Sequence, residues 1–217
     1  MEVIGQFNRG FIVARRVERA PGHGNVVKTD DLFIVDQHAA DEKYNFETLQ
    51  QTTKIEAQKL FRPEHLELTT ADELLAMENI EVLRCNGFDV TVDEDALPGT
   101  GQRLKLMARP VSKGTVFDMK DLEELIDLMR DRPAGQIVRC SKARAMFAMR
   151  ACRKSVMIGM PLTKSQMTTV VRHMGAIEQP WNCPHGRPTM RHLSDISSTS
   201  RRQHRSMPVD WAAFAPV

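Results

Sequence analysis

The chain has 217 residues, 41% of them apolar and 27% charged, enough for one large domain or two small lobes with a buried core. Lys and Arg number 30 against 28 Asp and Glu, a net charge of +2, so bulk charge selects no nucleic-acid partner and any such contact must come from local patches. No apolar run approaches the roughly 18 residues that a membrane-spanning helix needs.

In chain order, residues 3–17 (Val3, Ile4, Phe7, Phe11, Ile12, Val13) read as a strand or hairpin arm. The chain thus opens directly on a strand-like pattern, as expected of a domain cut from a longer protein. A turn is predicted at Pro21-Gly22-His23-Gly24, then a buried strand over 31–35 that ends at Asp36, where a helix starts and runs to about Gln51. Residues 55–68 return to strand character. Thr70-Ala71-Asp72-Glu73 resembles a capping box, opening a helix that Gly87 ends. Strands over 88–92 and 103–111 follow, split by the turn Pro98-Gly99-Thr100-Gly101. Helices are expected over 118–130, 141–157 and 163–177, then a loop over 180–188 and a last strand over 189–196. From Ser197 the chain turns polar, with Trp211 and Phe214 in a tail that could dock back. The fold class is α+β. Residues 69–142 carry their own helix–strand–strand–helix set and could form a separate lobe.

Three segments carry chemistry. His38 and Glu42 are four apart, so on a helix the imidazole and the carboxylate share one face, about 5–6 Å between Cβ atoms. Imidazole plus carboxylate suits zinc or manganese, yet such a pair is also common on ordinary helices. Asp36, at the strand-to-helix junction, is placed either to cap the helix or to hydrogen-bond a ligand. Glu47, nine positions from His38, turns to another side and reads as a salt-bridge partner. Cys183 and His185 can face one ion if the loop turns tightly, which Pro184 and Gly186 favour; the alternative is a structural turn with an inert thiol. Arg187 is a candidate for phosphate or for holding a ligand. Cys152 is either a small core residue or a thiolate favoured by flanking Arg150, Arg153 and Lys154. With no signal-peptide pattern, Cys85, Cys140, Cys152 and Cys183 are expected reduced. His38, Glu42, Cys152, Cys183 and His185 exceed one tetrahedral zinc and fit two ions sharing a bridging ligand, an arrangement that suits phosphodiester cleavage. Arg139 to Arg153 is basic and could guide a DNA backbone. Gln58-Lys59-Leu60-Phe61-Arg62-Pro63 is either a plain strand or a short peptide that docks in a partner's groove.

These residues resemble a family. Asp36-Gln37-His38-Ala39, then Glu42 and Glu47, matches the DQHA(X)2E(X)4E endonuclease motif of MutL DNA mismatch-repair proteins. Ala151-Cys152-Arg153 resembles their ACR motif, Cys183-Pro184-His185-Gly186-Arg187 their CPHGR motif, and Gln6-Phe7-Asn8 the opening of the same domain. The stretches 41–47 and 180–192 look like the eukaryotic PMS-type subunit. The resemblance implies a C-terminal endonuclease and dimerisation region that nicks one strand of duplex DNA in the nucleus. It implies metal ligands at His38, Glu42, Cys152, Cys183 and His185 for two divalent ions, zinc with manganese supporting activity. Asp36, Glu42 and Arg187 carry over as catalytic positions, and Gln58, Leu60, Phe61 and Pro63 as a binding site for the sliding clamp PCNA. The expected partner is an MLH-type MutL subunit. The implied organisation is a dimerisation lobe with a mixed sheet and helices (1–68 and 143–196) that holds the metal site, an inserted smaller regulatory α/β lobe (69–142), and a polar tail (197–217). The rival reading is a zinc-stabilised heterodimerisation module without nuclease activity of its own.

Overall fold

A computed structural model describes residues 1–19, 27–97 and 99–197. The turn predicted at 21–24 and the tail from 198 lie outside the described residues. The chain divides into two compact units, one formed by 1–40, 157–182 and 188–217, the other by 41–156 and 183–187. The second unit contains the whole 69–142 segment and is wider than it.

The first unit is built on a four-stranded sheet, order β1-β2-β3-β8, from β1 (Glu2–Phe7), β2 (Phe11–Arg19), β3 (Val27–Asp36) and β8 (Met190–Asp195). The predicted arm over 3–17 is a hairpin. Asn8 and Arg9 both have positive φ (47° and 46°), and the Gly10 amide donates to the Phe7 carbonyl at 3.2 Å, the primed turn that matches strand twist. Period-two alternation turns Ile12, Ala14 and Val35 inward, with Val3 from β1. Helix α6 (Lys164–Met174), capped by Thr163 and Gln166 in a capping box, adds Met167, Val170 and Met174 to this buried set. Arg15 grips the buried Asp30 through two hydrogen bonds, 2.6 and 2.5 Å.

The second unit carries the sheet β4-β6-β5, from β4 (Ala57–His65), β5 (Asp89–Val92) and β6 (Leu104–Ser112), with β7 (Thr115–Val116) paired to β6. The helices are α1 (Gln37–Thr52), whose first turn belongs to the first unit, α2 (Thr70–Glu78), α3 (Ile80–Cys85), α4 (Met119–Arg130) and α5 (Ser141–Lys154). Phe46, Phe88, Leu104, Leu106, Leu122, Leu125 and Phe147 form the centre of its core. A mixed sheet and an α/β lobe were expected; among the described residues every strand pair is antiparallel, and the tight turns from β1 to β2 and from β6 to β7 permit only that pairing. The helix expected from Thr70 to Gly87 breaks at Asn79, whose side chain donates to the Leu75 carbonyl and accepts from the Gly135 amide, each at 2.9 Å. Its cap is Thr69, one residue earlier than predicted, with Asp72 as partner. Asp118 and Asp121 form the capping box of α4.

Candidate metal centre

The strand β3 delivers Asp36 to the start of α1, where its Oδ1 accepts the Ala39 amide at 2.8 Å. That bond makes Asp36 the helix cap, one of the two roles open to it from sequence. Gln37 is fully buried, and its amide donates to the carbonyls of Arg9 (3.1 Å), Met157 (2.9 Å) and Met160 (3.3 Å) while accepting from Gln6 (2.7 Å). Gln6 and Gln37 thus tie the 157–162 strand of chain to the hairpin. Sequence reasoning gave them no role, although both lie in recognised motifs. His38 follows on α1, buried, one turn before Glu42 on the same helix face.

Glu42 is 0% exposed. Its Oε1 lies 3.0 Å from His185 Nδ1, and its Oε2 accepts from Arg187 at 3.2 Å. Burial works against its charge, but hydrogen bonds from the Cys183 thiol, the His185 ring and the Cys152 thiol outweigh that cost and hold its pKa below the ordinary carboxylate value. Ligand atoms of Glu42, Cys183 and His185 lie within 4.8 Å of one another. The second unit therefore brings together Glu42, Cys152, Cys183, His185 and Arg187.

The loop achieves this by turning tightly. The Gly186 amide donates to the Cys183 carbonyl and the Cys183 amide to the Arg187 carbonyl, both at 2.9 Å, and Gly186 sits at φ +83°. At the base of the loop, Asn182 bridges to Pro188 and the Thr189 amide donates to the Trp181 carbonyl at 2.9 Å. Cys183 is buried, and His185 and Arg187 are exposed.

Two expectations are corrected. Of the two readings open for Cys152, a small core residue or a thiolate eased by its basic neighbours, the second is not supported. Instead burial, then the hydrogen bond and charge of Glu42, push its pKa up, and Arg187 is the basic group that pulls it down. The neighbours in sequence sit on other faces of α5 and do not reach the thiol's surroundings. Arg139 was counted in a DNA-facing basic patch. It is 4% exposed and donates to the carbonyls of Gln50 and Cys85, each at 2.9 Å, and of Thr53, with its guanidinium 5.2 Å from the Phe147 ring centre. Its charge satisfies buried carbonyls near helix ends and is not available to a ligand.

The remaining expected positions are placed as follows. Glu47 is ion-paired with Lys43. None of the four cysteines forms a disulfide. In β4, Lys59 faces Ala108 while Glu64 faces Leu106, so the strand steps five residues against two on its partner and bulges outward between them. Gln58 and Pro63 are exposed, Phe61 is 98% exposed, and Leu60 packs partly against the core. Pro63, with no N–H, suits such an unpaired stretch. A further cluster, Asp121, Glu124 and Cys140, is accounted for by local structure: Asp121 accepts the Asp118 amide and pairs with Lys142 at 2.6 Å, and Glu124 accepts the Ser141 amide at 2.8 Å.

The family model of the MutL C terminal dimerisation domain matches residues 4–162. The chain belongs to the MutL C-terminal domain family. It is 48% identical over 217 residues to the DNA mismatch repair protein PMS1 of Saccharomyces cerevisiae, covering 99% of this chain and 22% of that protein. It is 49% identical over 201 residues to the mismatch repair endonuclease PMS2 of Homo sapiens, covering 93% of this chain and 22% of that protein. The bacterial DNA mismatch repair protein MutL of Clostridium acetobutylicum is 31% identical over 197 residues, 89% of this chain and 28% of that protein. The chain spans about a fifth to a quarter of the length of these relatives. Among the described residues no helix is long and apolar enough to cross a membrane. In this MutL domain the motif residues Glu42, Cys152, Cys183, His185 and Arg187, distant in sequence, sit around one buried carboxylate.

Proposed function

We propose that this domain is the metal-dependent nuclease part of a MutL heterodimer, which nicks one strand of duplex DNA during mismatch repair in the nucleus. The observation that carries it is the burial of Glu42 among two thiols, an imidazole and a guanidinium. A buried carboxylate with sulfur and nitrogen donors is the chemistry of zinc and manganese sites. Glu42, Cys152, Cys183 and His185 would hold the ions, with His38 one turn before Glu42 completing the set. Ions held there would supply charge to favour an attacking water and a leaving oxygen. Arg187 steadies the second carboxylate oxygen, and Asp36, by capping α1, fixes the turn that presents His38.

The regulatory insertion at 69–142 keeps its place in this reading, within the second unit. Its MLH-type partner finds apolar surface on the first unit, where Phe7 is 59% exposed and Phe11, Val13 and Ile34 are half-buried on the sheet face opposite Ile12 and Ala14. The bulged Gln58–Pro63 segment, with Phe61 at its tip, offers PCNA an extended peptide.

The full heterodimer carrying Glu42→Gln is expected to assemble normally and to lose at least about a hundredfold in nicking of mismatched plasmid, the scale of losing one charge-stabilising group. Nicking at the normal rate would refute the nuclease reading. A second reading, a structural zinc in a dimerisation module, is favoured by one observation: Glu42, Cys152, Cys183 and His185 alone make a closed set of four donors. One tightly held ion per chain, with no nicking of mismatched plasmid by the unsubstituted heterodimer, would select it.

A further inference from the structure

Apart from the exposed Lys154 at its end, the basic residues on and around α5 fall into two groups. Arg139 is buried on carbonyls, Lys142 is paired with Asp118 (3.4 Å) and Asp121 (2.6 Å), and Arg144 lies on Gln50 (3.2 Å) and over the Phe46 ring (5.7 Å). Lys113, Arg150 and Arg153 differ. They are exposed, and none has an ion pair among the described residues. All three line one cavity of about 420 Å³ in the second unit, with Ser112, Val111 and the single carboxylate of Glu56. Arg150 is held in place by donating to the Ser112 hydroxyl at 2.8 Å.

Three cations against the one carboxylate of Glu56 leave an excess of positive charge around a concave, polar-rimmed site among the described residues. We propose that Lys113, Arg150 and Arg153 form a phosphate-binding pocket that seats the backbone of duplex DNA. Helix α5 links the two sites. Cys152 lies on it between the arginines, which point about 100° and 160° away around the axis. The pocket and the thiol therefore lie on different faces of the same helix. Guanidinium groups suit phosphate through paired N–H donors, and Lys113 adds a point charge. The contact is to the backbone and carries no sequence preference.

The proposal rests on the nuclease reading for its polymer, duplex DNA, and the two are tested apart. The full-length protein in its MutL heterodimer is titrated onto a labelled duplex by fluorescence anisotropy from about 50 to 200 mM salt. The triple variant Lys113→Gln, Arg150→Gln, Arg153→Gln is expected to flatten the slope of log affinity against log salt by about 2.7, at ~0.9 per phosphate contact. The conservative variant Lys113→Arg, Arg150→Lys, Arg153→Lys is expected to keep the slope. An unchanged slope in the Gln variant, or equal loss in both variants, overturns the proposal, the second because loss would then follow from disturbed structure and not from charge. Nicking by Glu42→Gln judges the nuclease reading alone.

Discussion

Gly186 shows what a single residue contributes to the site. At φ +83° it allows the chain to reverse so that Cys183 and His185 meet Glu42 from one loop. A Cβ there would touch nothing within 4 Å, so Gly186→Ala tests backbone conformation without a steric clash. It is expected to cost about 1–2 kcal/mol in folding or in zinc affinity, because the left-handed backbone is strained for Ala. Calorimetric zinc titration and thermal melting measure it; no change in either would mean that the turn does not hold the ligands. At this scale the sequence was informative where spacing met helix or turn geometry, as for His38 and Glu42 on α1. It misled where neighbours in sequence were taken for neighbours in space. Arg150, Arg153 and Lys154 flank Cys152 along the chain, yet the group that sets its proton affinity after burial is Glu42, more than a hundred residues away.

Among elements, the helices with side-chain caps were the most legible. Asp118 and Thr163 mark the starts of α4 and α6 because both capping and return bonds are local. The break at Asn79 and the bulge in β4 depend on partners far along the chain, which no local pattern encodes. The same holds for Arg139. Its role as donor to the carbonyls of Gln50, Thr53 and Cys85 joins α1, α3 and the approach to α5. Arg139→Ala leaves buried acceptors without a donor, and a loss of about 2–4 kcal/mol in unfolding free energy is expected from denaturant titration. A loss under about 0.5 kcal/mol would show that those carbonyls have other partners.

For the whole molecule, the α+β class was legible in the sequence; among the described residues the sheets are antiparallel, and the 69–142 segment lies within a compact unit of 41–156 with 183–187. The first unit carries the apolar sheet face assigned to the partner. Phe7→Asp, on an exposed strand end, is expected to leave melting nearly unchanged and to weaken heterodimer association at least about tenfold, or ~1.4 kcal/mol. Sedimentation at several concentrations reads this, and unchanged association would place the interface elsewhere. The buried carboxylate Glu42 in its ring of thiols, imidazole and guanidinium remains the centre of the account. Crystals of the domain soaked in zinc, with anomalous scattering collected on both sides of the zinc edge, test it most directly. The account predicts anomalous peaks bonded to Glu42, Cys152, Cys183 and His185, with a second ion reaching His38. Absence of any peak at Glu42, with zinc bound elsewhere, would contradict it.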